Sequence, residues 1–165
     1  MATRNIVKIG DPILLKKCRP VTEFGPRLHQ LLDDMRDTLR EASGAGLAAP
    51  QVGVLKRVVL VLETNVPEGE EEYFIELVNP EIIQCSGEQN GPEGCLSVPD
   101  QFGLVRRPMD VTVRAQDRNG KPFEVSGTGL TARAFCHETD HLDGIIFTSL
   151  AERMLDADEL AVDSE

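Results

Sequence analysis

Between Pro26 and Ala42 the apolar positions Leu28, Leu31, Leu32, Met35 and Leu39 recur at steps of three and four, and Pro26 suits a first helical position. The spacing predicts an amphipathic helix over 26–42, with His29 off the apolar stripe and therefore at the surface. RVVLVLE, residues 57–63, is instead a continuous β-branched run, as in a buried strand. EYFIELVNPEII, residues 72–83, resumes that pattern after the acidic turn NVPEGEE. DVTVRAQD, residues 110–117, alternates apolar and polar, turns at Arg118-Asn119-Gly120 and returns as KPFEVSG, which makes a β-hairpin. From about Leu130 the period lengthens again: Leu130, Ala134, His137 and His141 fall on one face of a helix that stops near Gly144.

The remaining segments lack a clear period. Ile6, Val7 and Ile9, followed by the breakers Gly10-Asp11-Pro12, read as a short extended piece that turns into a loop and wraps the core. SGAGLAAPQVG, residues 43–53, is too rich in small residues for a stable helix and too irregular for a strand, so it is expected as a loop with tight backbone approaches. After Gly144, IIFTSL is a short apolar strand or turn. AERMLDADELAVDSE, residues 151–165, is acidic and is expected as a frayed helix or a disordered tail. The predicted class is α+β: one domain over 1–150, with mixed or antiparallel sheet around a central helix.

Composition narrows the function classes more than the fold. At 165 residues the chain has the size of one domain, and 41% hydrophobic with 27% charged residues is near the globular average. Lys+Arg 17 against Asp+Glu 28 gives 17 − 28 = −11, a charge that repels phosphate backbones and anionic membranes, so neither is expected as a direct partner. No apolar run reaches the length of a bilayer span and MATRNIVKIG has no secretory apolar core, which predicts a cytosolic protein. Cys18, Cys85, Cys95 and Cys136 form no C-x-x-C pair and are expected as free thiols. Cys18, Cys85 and Cys136 read as small buried hydrophobes; Cys95 stands in a different setting.

That setting is chemical. His137-Glu138-Thr139-Asp140-His141, if helical, projects two imidazoles from one face with a carboxylate beside them, the arrangement that binds one metal ion and handles a proton. Taken alone, the pattern also fits a helix end with two satisfied histidines. A catalytic metal needs a third protein ligand, and the best donor is Cys95 in GPEGCLSVP, where Gly91, Pro92 and Gly94 allow close backbone approach. Such a set leaves a position for water, whose proton a metal makes easier to lose, and Glu138 could carry that proton to a leaving amine. Gln51 is suited to meet negative charge on a carbonyl oxygen, because its amide donates without titrating; the alternative is a loop residue bonding its own backbone.

GAGLAAPQ (44–51), EGCLS (93–97) and HETDH (137–141) together resemble the peptide deformylase family, whose motifs G-x-G-[apolar]-A-A-x-Q, E-G-C-x-S and H-E-x-x-H occur complete and in order. The resemblance implies hydrolysis of the N-formyl group from the leading methionine of newly made polypeptides, releasing formate. It implies Cys95, His137 and His141 as metal ligands and Glu138 as general acid/base. Gln51 and the backbone N–H of Leu96 would stabilise the oxyanion. Ala45, Gly46 and Gly94 would hold an extended peptide, and Leu130 and Ala134 would line the methionine pocket. Ligand chemistry alone points to zinc. The resemblance implies Fe²⁺, replaceable by Zn²⁺, Ni²⁺ or Co²⁺. Its partners would be formyl-methionyl nascent peptides and, transiently, the ribosome.

The chain also departs from the family pattern. Ala45 stands where a larger aliphatic residue is common, which would widen the pocket. Cys136 replaces a common Gln and, one residue from His137, points roughly 100° away, so it is not expected as a ligand. Gln101-Phe102-Gly103 lacks a nearby substrate-contacting Arg, and either Arg106 or Arg107 is expected to brace Glu93. Asp140 is either a support for the site or simply exposed. A zinc endopeptidase and a closed, non-enzymatic metal-stabilised module are the competing readings of the same histidine motif.

Overall fold

The computed structural model describes residues 2–156. Its strands are β1 (Gly46–Ala48), β2 (Val58–Glu63), β3 (Tyr73–Ser86), β4 (Gln89–Cys95), β5 (Val98–Arg107), β6 (Asp110–Gln116), β7 (Pro122–Thr128) and β8 (Arg153–Leu155); its helices are α1 (Pro26–Ala42) and α2 (Leu130–Leu142). A five-stranded sheet runs β1-β2-β3-β6-β7 and a three-stranded sheet runs β4-β5-β8, with antiparallel pairing throughout both.

The large sheet explains why β2 is an unbroken apolar run. Val58 and Leu60 face α1 and pack with Leu28, Leu32, Met35 and Leu39, whereas Val59 and Val61 face α2 and pack with Ala132 and Phe135. A strand covered on both faces needs no polar alternation. The β6–β7 hairpin packs on the same side as α2, through Val111, Val113 and Ala115. A third cluster of Leu14, Val98, Val105, Ile146 and Phe147 underlies the small sheet. Helix α2 therefore lies between the two sheets, and ten of its thirteen residues are buried. The N-terminal segment wraps as expected: Val7 donates to the Gln51 carbonyl, and Asn79, in left-handed conformation at an irregularity of β3, bonds both backbone groups of Val21.

Three expectations need correction. Residues 43–53 are not all loop: Gly46–Ala48 is a short edge strand, because its backbone pairs with Val59–Val61 whatever its small side chains prefer, and Ala49–Val52 is a 3₁₀ turn. Cys85 is not a buried hydrophobe but lies exposed near the end of β3, past the part of the strand that α1 and α2 cover, and the stretch around Cys95, for which no element was predicted, is a hairpin, β4 pairing with β5 from Gln89↔Arg107 to Gly94↔Phe102. The segment after 150 does not begin as a frayed helix; Arg153–Leu155 pairs with Phe102–Leu104, which carries the small sheet past the expected boundary. IIFTSL contains a 3₁₀ turn at Phe147–Ser149, and residues 157–165 of the expected tail lie outside the described residues. No helix of the described residues is long and apolar enough to cross a membrane.

Candidate active site

The three proposed ligands reach one point from two elements. His137 and His141 lie one turn apart on α2, and Cys95 ends β4, where the hairpin turns toward the helix. Their donor atoms all lie within 4.8 Å of one another, and Cys95 Sγ is 3.3 Å from His141 Nε2. With bonds of about 2.3 Å to sulfur and about 2.1 Å to nitrogen, tetrahedral ligands stand roughly 3.6 Å apart, so the set fits an ion. The charge balance fits as well. Burial would lower the His137 pKa, but the charge of Glu138 and the hydrogen bonds the ring donates to Cys95 and Glu93 outweigh it and hold the ring well above its usual range. The cluster thus attracts positive charge, while burial pushes His141 down to about 3 and keeps it a neutral donor.

Glu93 orients the first histidine. His137 Nδ1 is 2.7 Å from Glu93 Oε2, which leaves Nε2 facing the ligand point. Arg107 donates to both oxygens of Glu93, at 3.0 and 2.6 Å, and Arg133 Nη1 adds a third bond at 2.9 Å. Arg107 also reaches Asp140 at 2.7 Å, so Asp140 supports the site through that arginine. Of the two arginines expected to brace Glu93, Arg107 does so; Arg106 is exposed and pairs with Glu88 and Glu152.

Gln51 makes the local backbone bond of one of the two readings offered for it, and aims its amide at Cys95. Its Oε1 accepts from the Ala48 N–H at 2.9 Å, and that local bond turns the amide so that Nε2 donates to Ser97 Oγ at 3.1 Å and faces Cys95 Sγ at 3.4 Å. Glu138 is buried, and its Oε1 has no hydrogen-bond partner among the described residues. Its Oε2 stands 3.9 Å from His137 Nε2. A Cβ on Gly46 would lie 2.5 Å from that Oε2, so only glycine on β1 admits the carboxylate. Burial pushes the Glu138 carboxyl up to about 7, against the opposing charge of His137, which poises it to exchange a proton near neutral pH.

These groups open onto a cavity of about 640 Å³ between the free edges of β1 and β4. Ala45, Gly46, Gly94, Leu96, Leu130 and Ala134 all line it. Phe102, cross-strand from Gly94, lies where a Gly94 side chain would go, its ring 2.6 Å from that position. Cys136 turns away into the large-sheet core, where burial pushes its thiol up to about 11. His29 also stands apart, bonding the Arg118 carbonyl at 2.8 Å. Sequence reading did not anticipate Arg133 or Ser97 at the site; Arg133, four residues before His137, shares its helix face and was open to detection by that spacing.

The model of the family described as Polypeptide deformylase matches residues 3–156. A peptide deformylase of Lachnoclostridium phytofermentans is 56% identical over 150 residues, 89% of this chain and 88% of its own length. One from Caldanaerobacter subterraneus is 51% identical over 160 residues, covering 97% of this chain and 96% of its own. Among solved structures, a peptide deformylase from Legionella pneumophila superposes with a TM-score of 0.82 at 41% identity, covering 99% of this chain and 92% of that one. A class I type b enzyme from Acinetobacter baumannii with Met-Ala-Ser bound gives 0.83 at 38% identity, covering 90% of this chain and 98% of its own.

Proposed function

The chain belongs to the polypeptide deformylase family, and from that premise we propose that Cys95, His137 and His141 hold an iron(II) ion and that Glu138 carries the proton of the reaction. As a member of that enzyme family it is a metal-dependent hydrolase that removes the N-formyl group from new polypeptides. An ion at this cluster supplies Lewis acidity, which makes a water proton easier to lose at neutral pH. Glu138, whose Oε2 lies on the Nε2 side of His137, accepts the proton of the attacking water and returns it to the departing amine nitrogen, so that formate and a free N-terminus result. Gln51 Nε2 and the backbone N–H of Leu96 donate to the formyl oxygen as it becomes negative. The edges of β1 and β4, at Ala45, Gly46 and Gly94, bind the peptide backbone in extended form, and Leu130 and Ala134 contact its first side chain.

The observation that carries this reading is the pairing of a three-donor cluster with an adjacent buried carboxyl at about 7. Iron rather than zinc is the finer part of the proposal, because thiolate and imidazole donors suit both. Anaerobically prepared iron or nickel protein should release formate from formyl-Met-Ala-Ser much faster than the zinc form; equal rates would remove iron from the proposal. Cys95→Ala should lose both metal and activity, whereas Cys136→Ala keeps both. The substrate is made on the ribosome, so transient contact with it in the cytoplasm completes the reading, and cosedimentation with translating ribosomes tests that part.

A further inference from the structure

The net charge of −11 is not spread evenly along the chain. Residues 1–57, up to the start of β2, carry ten Lys+Arg against six Asp+Glu, 10 − 6 = +4; residues 58–165 carry seven against 22, 7 − 22 = −15. Part of the positive excess gathers at one place. Arg4, Arg27, Gln30, Leu31, Val54 and Lys56 line a cavity of about 270 Å³ where the first two turns of α1 meet the segment before β2. No acid among the described residues lines it. Asp34, nearby on α1, is already occupied: Arg4 Nε donates to it at 2.9 Å and Gln30 Nε2 at 2.6 Å. A fourth cation lies beside these. Arg19 pairs with Lys56 in a parallel bridge, held by Arg19 N donating to the Leu55 carbonyl and Arg57 N to the Arg19 carbonyl, so the two side chains leave the same face. Arg19, Arg27 and Lys56 are exposed, and none of them has an ion pair among the described residues.

We propose that the face formed by Arg4, Arg19, Arg27 and Lys56 docks the phosphodiester backbone of RNA. The cations extend beyond the cavity through Arg19, which suits phosphates spaced along a strand better than a single enclosed anion. No aromatic side chain lines the cavity to stack on a base, so the contact is with the backbone and independent of sequence. The acidic remainder of the surface repels a polyanion and so restricts its approach to this face. The expectation against phosphate backbones, drawn from net charge, then holds for that remainder only. None of the four cations lines the substrate cavity, so docking leaves it open. The choice of RNA over an acidic protein rests on the deformylation reading above, which sets the enzyme to work where new chains leave the ribosome.

The test titrates a short, fluorescently labelled RNA duplex with metal-loaded protein and reads anisotropy over a series of KCl concentrations. Three proteins are compared: wild type, the triple variant Arg19→Gln, Arg27→Gln, Lys56→Gln, and a control with the same loss of charge elsewhere, Arg106→Gln, Arg114→Gln, Lys121→Gln. The triple variant should bind about tenfold or more weakly than wild type at low salt, and its slope of log K against log[KCl] should be flatter by about two to three. The control should bind like wild type, and all three should release formate from formyl-Met-Ala-Ser equally fast. Cosedimentation with translating ribosomes should follow the same order. Wild-type binding by the triple variant, an equal loss in the control, or wild type holding polyglutamate as tightly as RNA would each overturn the inference. If the triple variant fails to fold, the single variants decide, each expected to flatten the slope by about 0.7–0.9; unchanged slopes overturn the inference equally. No formate from metal-loaded wild type would instead overturn the deformylation reading, which the anisotropy titration does not measure.

Discussion

Glu93 and Glu138 are buried carboxyls on opposite sides of the same imidazole, and their surroundings divide two tasks between them. On the Nδ1 side of His137, Glu93 accepts from Arg107 twice, from Arg133 and from the ring itself. Burial alone would raise its pKa, but the hydrogen bonds from His137 and Arg107 hold it at about 2. On the Nε2 side, Glu138 has a free oxygen, glycine in front of it and a pKa of about 7 set by burial. Equal burial thus yields a permanent anion where arginines surround the group and a proton carrier where they do not. The permanent anion aims His137; the carboxyl that can take up a proton near neutral pH lines the cavity.

The sharpest separation of these roles is Glu138→Gln, which should lower kcat for formate release by a factor on the order of 10²–10⁴ while metal content stays at the wild-type level. Full activity, or cleavage of internal peptide bonds in its place, would end the assignment. Glu93→Ala should act on the other side, leaving Arg107 and Arg133 without their buried anion. Urea unfolding should show a loss of about 3–5 kcal/mol, because one partner of a buried ion pair has been removed. Metal affinity should fall by about 10–100-fold as His137 loses its orienting partner. A Glu93→Ala protein as stable and as tightly metallated as wild type would erase the contrast.

A smaller effect lies in the pH dependence of the metal-free protein. The folded pKa of Glu93 lies below its ordinary value of 4.5, so its stabilisation is fully present above that value and is lost as pH falls from there toward about 2. The folded pKa of Glu138 lies above 4.5, so its contribution is present at low pH and is lost as pH rises from 4.5 through about 7. Urea titrations at a series of pH values should therefore show Glu138→Gln flattening the decline on the neutral side and leaving the acid side unchanged; the reverse pattern would exchange the two assignments. Smallest of all is Arg106→Ala. Its pairs with Glu88 and Glu152 are exposed and screened by solvent, so the urea midpoint and the metal content should both stay at the wild-type level. A loss comparable to that of Glu93→Ala would show that surface charge, not the Arg107 brace, supports the site.

Much of this arrangement was legible in the sequence, and the gaps have physical causes. Helix α1 and the β6–β7 hairpin announce themselves because one face of each is buried and their apolar spacing records it. Strand β4 gives no such signal: Gly91, Pro92 and Gly94 are poor strand formers, and it is a strand because β5 supplies its hydrogen bonds. The same holds for β1, and for β8, whose three residues pair with a strand some fifty positions earlier. At the site, the histidine motif with Glu138 and the choice of Cys95 as third donor follow from residue type and spacing, and the structure brings those three donors together; Gln51 was open between two readings. The Arg107 brace was one of two alternatives, since sequence does not say which neighbour along a strand points inward. Arg133 shared its face with His137, but its destination between Glu93 and the cavity depends on β4, the element that could not be read.

The separations within the cluster also bear on how the molecule forms. Gln51 and Cys95 meet across 44 residues, and Cys95 and His141 across 46. Contacts of that length close slowly compared with a hairpin or a helix, because chain entropy is lost before any packing compensates for it. The β6–β7 hairpin and α1 can form from neighbours alone, whereas the donor set exists only once both sheets have met across α2. A partly folded chain therefore presents two histidines or one thiol, but not the three donors together, and reactivity arrives with the last long-range closure rather than with any single element.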